Sequence, residues 1–87
     1  MNLEILTPEK KIFSEDVFGV QLPGVNGLFE VLDKHAPLIS ALQAGRIKVL
    51  KSKTSQLANF EIKSGFVEVM ANNVTVLVEG AAEAIDR

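Results

Sequence analysis

The chain has 87 residues, 47% of them hydrophobic and 23% charged, with no cysteine and a formal net charge of -2. That length makes one domain with a modest core that hides roughly 60–65% of the extended surface. The composition excludes a disulfide or thiolate–metal framework, a basic nucleic-acid footprint, a bilayer-spanning apolar run and a signal peptide.

Taken from the N-terminus, the pattern has a period of two almost everywhere. Leu3 and Ile5 alternate with Asn2 and Glu4, and Pro8-Glu9-Lys10-Lys11 breaks that run. Phe18, Val20 and Leu22 alternate with Val17, Gly19 and Gln21. Pro23-Gly24-Val25-Asn26-Gly27 is a turn built from residues that tolerate positive φ, and a short apolar strand follows it. From His35 to Gln43 nearly every position is apolar. The residues alone leave a short buried helix or a strand open there, with Pro37 inside the segment and Gly45 closing it. Ile47 and Val49 alternate with Arg46, Lys48 and Leu50, and Lys51 to Gln56 is a polar hairpin loop. Phe60 and Ile62 alternate with Glu61 and Lys63; Val67 and Val69 alternate with Glu68 and Met70. Asn72-Asn73 reads as a tight hairpin, because Asn enters the left-handed region readily. Val74, Val76 and Val78 then alternate with Thr75, Leu77 and Glu79.

Successive strand side chains point to opposite faces, so strict alternation marks half-buried strands. Turn signals every roughly 8–12 residues predict an all-β sandwich or flattened barrel. The tail from Gly80 to Arg87 has a helix-friendly composition but is too short to hold a helix alone.

No catalytic constellation emerges. His35 is the single histidine, and without cysteine or well-spaced carboxylates it builds no metal site. No nucleophile elbow accompanies it. Gly24 and Gly27 match neither dinucleotide nor P-loop spacing. Lys48, Lys51 and Lys53 form a small basic cluster at a hairpin edge, where charge suppresses strand-to-strand aggregation. Lys51-Ser52-Lys53-Thr54 does not resemble the lysine tip of a biotinyl or lipoyl carrier domain.

Four pieces occur in a telling order. They are Leu3-Glu4-Ile5-Leu6-Thr7-Pro8, the Pro/Gly loop with His35-Ala36-Pro37-Leu38 and Gly45 after it, Ser64-Gly65-Phe66-Val67-Glu68-Val69, and Asn73-Val74-Thr75-Val76-Leu77. Together they resemble the N-terminal β-domain of the epsilon subunit of F-type ATP synthases, called delta in mitochondria. The resemblance runs over nearly the whole chain and favours strand for His35 to Gln43.

The resemblance implies an all-β flattened sandwich of two antiparallel sheets over residues 1–87, and a central-stalk role coupling c-ring rotation to the gamma subunit. It implies a gamma-facing set of His35, Ala36, Pro37, Leu38 and Leu42, and a c-ring-facing set of Gly24, Val25, Asn26, Gly27, Leu28 and Glu30. Leu28, Leu32, Leu38 and Leu42 are expected to be exposed. No catalytic residue, cofactor, metal, nucleic acid or membrane insertion is expected, and the place is peripheral, on the cytoplasmic side of a bacterial cell membrane. The chain departs from the family in two places. Leu28 stands where an acid is common, with Glu30 two residues later as its candidate substitute, and Asp33-Lys34 replaces a Pro-Gly or Pro-Asn before the histidine. Most members carry a C-terminal helical hairpin that would begin about where this sequence stops. Its absence fits a naturally short chain or a piece of a longer one. Ile85-Asp86-Arg87 resembles the opening of an ATP-binding motif and reads as a remnant. The competing class is a free-standing sandwich module for a peptide or sugar, which usually shows the surface aromatics that a chain without Trp or Tyr lacks.

Overall fold

The alternating runs fold as strands. The computed structural model describes residues 1–84 and contains β1 (Asn2–Leu6), β2 (Lys11–Asp16), β3 (Gly19–Gly24), β4 (Gly27–Leu32) and β5 (Leu38–Leu42). They are followed by β6 (Gly45–Leu50), β7 (Gln56–Ile62), β8 (Ser64–Met70), β9 (Asn73–Glu79) and β10 (Ala82–Ala84). The expected all-β architecture holds. The segment after His35 is strand, as the resemblance favours, but it begins only at Leu38, after Pro37.

The strands join in the order β10-β7-β6-β3-β5-β8-β9-β1-β2, with β4 paired to β3. Laid flat, that path would span about 40 Å at the usual strand spacing. The longest extent is 29 Å, so the sheet curls over itself into two layers. One layer holds β4, β3, β6, β7 and β10; the other holds β5, β8, β9, β1 and β2. The fold-over lies at the β3–β5 junction, where Gly24 pairs with Leu42. There the Gln43 N–H donates to the Pro23 carbonyl at 2.9 Å. A Cβ on Gly24 would sit 2.8 Å from the Phe29 ring and from the Gly27 carbonyl oxygen, so only glycine fits this crease. Across the opposite side, Phe13 of β2 meets Phe60 of β7 edge to face at 6.0 Å.

The inward positions form one core. Leu3, Ile5, Val20, Leu22, Val31, Ile47, Val49, Val67, Val69, Val74 and Val76 are fully buried. Each matches the apolar phase of its strand, so burial follows directly from the period of two.

Several local features were not legible. β2 lies in a segment without alternation, and β1 zips along it with a bulge at Ile5/Leu6. β1 pairs with β9 in parallel, Leu3 beside Val74 and Ile5 beside Val76, inside a sheet otherwise antiparallel. Phe18 leaves the strand phase at the bend before β3 and is exposed, while Val17 turns into the core. The β8–β9 turn sits one residue earlier than Asn72-Asn73: Ala71 (φ 49°) and Asn72 (φ 63°) occupy the left-handed positions. The tail forms no helix over its described part; Ala82–Ala84 pairs with Asn59–Glu61 of β7. Ile85-Asp86-Arg87 lies outside the described residues.

Candidate functional site

The two predicted residue sets lie largely toward opposite ends of β4, except that Leu42 of the gamma-facing set pairs with Gly24 of the c-ring-facing set at the crease. β4 starts at the β3–β4 turn and ends beside the segment that leads to His35, a run of about 17 Å at ordinary strand rise. The turn end carries Val25, Asn26, Gly27 and Leu28, all exposed. Gly27 takes φ 127°, open to glycine and costly to other residues. Gly24 belongs to this set by sequence but is buried in the crease, so its contribution is to shape the turn. Leu28 is 67% exposed. Glu30 is exposed on the same outward face, while Phe29 and Val31 point inward. The expected shared face of Leu28 and Glu30 is therefore present.

The other end carries His35, Ala36 and Pro37, all exposed. His35 Nδ1 lies 2.7 Å from the Ala36 carbonyl oxygen, and its backbone N–H donates to the Leu32 carbonyl at 3.2 Å. The Asp33-Lys34 departure has a structural role here. Lys34 takes φ 63° in place of a residue better suited to it. Asn72 of the neighbouring turn fastens it: its Oδ1 accepts from the Lys34 N–H at 2.8 Å, and its Nδ2 donates to Asp33 Oδ1 at 2.7 Å. The Met1 ammonium lies 3.5 Å from the same Asp33 oxygen and 3.2 Å from Asp16. The Asn72 amide is the main cause holding the Asp33 carboxyl below its usual range, with desolvation opposing it and the Met1 ammonium and Lys34 adding to it.

Exposure corrects part of the gamma-facing set. Leu28 and Leu32 are exposed as expected. Leu38 is half-buried and packs on the core. Leu42 is only 4% exposed: it faces inward at the crease opposite Gly65, because β5 alternates there and its phase puts Leu42 in the core.

The sequence reading missed an apolar surface. On the outer face of the second layer, Ala41 of β5, Phe66 of β8, Leu77 of β9 and Leu6 of β1 form a row across four strands. Ile39, 74% exposed, and Met70 extend it toward the His35 end. Phe66 is 60% exposed although its ring spans the middle of the row. A shallow cleft of about 270 Å³ between Leu6, Pro8, Gly65, Phe66 and Leu77 continues the same surface. The available signal was the outward phase of β8 and β9, where Phe66, Met70 and Leu77 are interleaved with Glu68, Thr75 and Glu79.

Among the described residues no three His, Cys, Asp or Glu side chains come together as a metal site. No described helix is long and apolar enough to cross a membrane. What the arrangement offers is surface for contact.

Comparison with known proteins agrees with this picture. The profile of the family described as ATP synthase, Delta/Epsilon chain, beta-sandwich domain matches residues 1–84. An ATP synthase epsilon chain of Chlorobaculum tepidum is 44% identical over 77 residues, covering 88% of this chain and 86% of the relative. One of Caulobacter vibrioides is 37% identical over 84 residues, covering 97% and 95%. Other relatives are longer: the chain spans only 52% of the epsilon chain of Protochlamydia amoebophila, at 44% identity. Two solved structures share the fold. The central stalk and c-ring of the Tetrahymena thermophila mitochondrial ATP synthase contains a chain similar at TM-score 0.78 and 20% identity, with 93% of this chain and 64% of that one aligned. The OSCP/F1/c-ring structure from Euglena gracilis contains another at TM-score 0.84 and 22% identity, with 97% and 54% aligned.

Proposed function

This chain belongs to the ATP synthase delta/epsilon β-sandwich family, and on that premise we propose that it is a non-catalytic central-stalk subunit of an F-type ATP synthase. It joins the foot of the gamma subunit to the polar loops of the c-ring, so that ion-driven rotation reaches the catalytic head. Its place is peripheral, in the F1 sector on the cytoplasmic side of a bacterial cell membrane.

The observation that carries this reading is the apolar outer row of Ala41, Phe66, Leu77 and Leu6, flanked by exposed Ile39, which faces Glu68 in the next row toward His35-Ala36-Pro37-Leu38. A contiguous apolar patch costs solubility and marks a surface that a partner covers. We assign it to gamma, with Leu42 supporting the segment from within. The turn from Val25 to Gly27, with Leu28 and Glu30, then meets the c-ring. The fold suits torque transfer: β4 runs from the turn end toward the His35 end as one extended strand paired with β3 along its whole length.

Reconstitution of the complete enzyme in vesicles tests the reading. Omitting the chain should leave ATP hydrolysis by the head while proton pumping falls, and adding it back should restore pumping. Unchanged pumping without the chain would overturn the coupling role. Within that system, Glu30→Gln should weaken coupling more at low salt than at high salt if the carboxylate meets the c-ring. An effect confined to Leu28→Ala would make the contact apolar.

A further inference from the structure

The sheet has two very different edges beside the core. β2 is protected: it opens on Lys11, closes on Glu15 and Asp16, and is bulged against β1. β4 is paired to β3 on one side, has no described strand on the other, and contains no Lys, no Pro and no bulge. Those are the usual devices that keep an edge from recruiting another strand.

The polarity of the free edge follows from the hairpin. In a two-residue hairpin the pair flanking the turn exchanges hydrogen bonds, and bonded pairs then alternate along the ladder. With Gly24 opposite Gly27, the groups of Gly27, Phe29 and Val31 point to β3. Those of Leu28, Glu30 and Leu32 point away. The Leu32 carbonyl, which accepts from the His35 N–H, agrees with this orientation. At Leu28 and Glu30 both backbone groups are left facing outward on an exposed strand. The side chains of the same three residues stand on the outer face, so an added strand would meet Leu, Glu and Leu in turn. No described residue forms an ion pair with Glu30.

A second copy is a poor occupant. Two β4 strands pairing about a twofold axis engage all three outward residues only in the register centred on Glu30. That register sets Leu28 opposite Leu32 but places two carboxylates face to face, which is destabilising. A strand with a cation at the central position has the opposite sign.

We propose that the open edge of β4 is a docking site for an extended segment of a different chain, one carrying a Lys or Arg between two apolar residues. The added strand gains main-chain hydrogen bonds at Leu28 and Glu30, and Glu30 selects its charge. Glu30 also bars self-pairing. This site shares Leu28 and Glu30 with the c-ring contact proposed above, so the two occupants exclude one another, and peptide binding to the isolated chain tests this one by itself.

The test uses the isotope-labelled 87-residue chain. The probe is the peptide acetyl-Thr-Val-Thr-Lys-Thr-Val-Thr-amide, and the control replaces its Lys by Glu. The Lys peptide should shift the amide resonances of Leu28, Glu30 and Leu32 at millimolar concentration. It should bind about three- to tenfold more tightly than the Glu peptide, and Glu30→Lys should reverse that order. By sedimentation the wild-type chain should not pair through β4, whereas Glu30→Val should dimerise. Amides that do not move, equal affinity for both peptides, or a Glu30→Val chain that stays monomeric would each overturn the assignment.

Discussion

The outer faces of the two layers sit on the same core and look nothing alike. On the first layer the cross-strand neighbours are Gln21 with Lys48 and Arg46 with Glu61, the latter joined at 2.9 Å. On the second they are Ala41, Phe66, Leu77 and Leu6. The inner faces, by contrast, are alike in kind: mostly Val, Leu and Ile, with Met1 and Phe60 among them. Folding requires only the inner positions to be apolar. The outer apolar row therefore adds little to the isolated fold and makes sense as surface held for a partner. The middle of the first layer's outer face carries the ordinary chemistry of a solvated sheet, with exposed Leu28 and Leu32 on its β4 edge.

The sharpest way to break this comparison is to cut one inward and one outward residue of similar size. Ile47→Ala should cost about 2–5 kcal/mol of unfolding free energy by urea denaturation, through lost burial and a cavity. Leu77→Ala should stay within about 0.5 kcal/mol, as exposed positions do. A comparable loss at Leu77 would make the outer row part of the folding core.

Binding should invert that order. Phe66→Ser and Ile39→Ser should each weaken gamma-subunit affinity by about 2 kcal/mol, the scale of an interface anchor, with the melting temperature unchanged. His35→Ala should weaken binding without loss of stability, because its ring is exposed. Affinity that survives all three changes would move the gamma contact elsewhere. Leu42→Ala is the internal contrast: it should fail in stability first.

The charged face should respond weakly. A double-mutant cycle on Arg46 and Glu61 should give about 0.2–1 kcal/mol, shrinking as salt rises, since the pair is solvent-exposed. A larger, salt-insensitive coupling would mean that this face is covered as well.

The smallest effect concerns the turn network near His35. The carboxyl of Asp33 is held low in the folded chain, so its contribution is present above the unfolded value of about 3.9 and is lost as pH falls through the folded value. Asn72→Ala removes the main cause and should move the Asp33 titration, followed by carbon-13 resonances, up toward the ordinary range. An unmoved titration would assign the shift to the Met1 ammonium instead.

The sequence itself determined the strands, because a period of two has a single physical meaning when one face is buried. Val74, Val76 and Val78 marked their strand, and the inward phase they imply is the one observed. Four pieces in order, among them His35-Ala36-Pro37-Leu38, were together sufficient to point to the family. Where the pattern lost contrast, legibility ended. Leu42 lies in a segment apolar at almost every position, so no alternation separated it from Ile39, and one is core while the other is the most exposed apolar side chain of its strand. Phe66 and Leu77 were legible as outward positions, but the period of two does not say whether an outward apolar residue meets solvent or a partner. Only the tertiary structure decided the remainder. The parallel β1–β9 pair joins Asn2–Leu6 to Asn73–Leu77, and no local residue pattern encodes a partner that distant. The Gly24 crease, the Asn72–Asp33–Lys34 clasp and the bare edge of β4 likewise arise from segments brought together in space. Local chemistry sets which side chains turn inward; which strands meet, and what their outer faces and edges leave uncovered, depends on how the whole sheet closes.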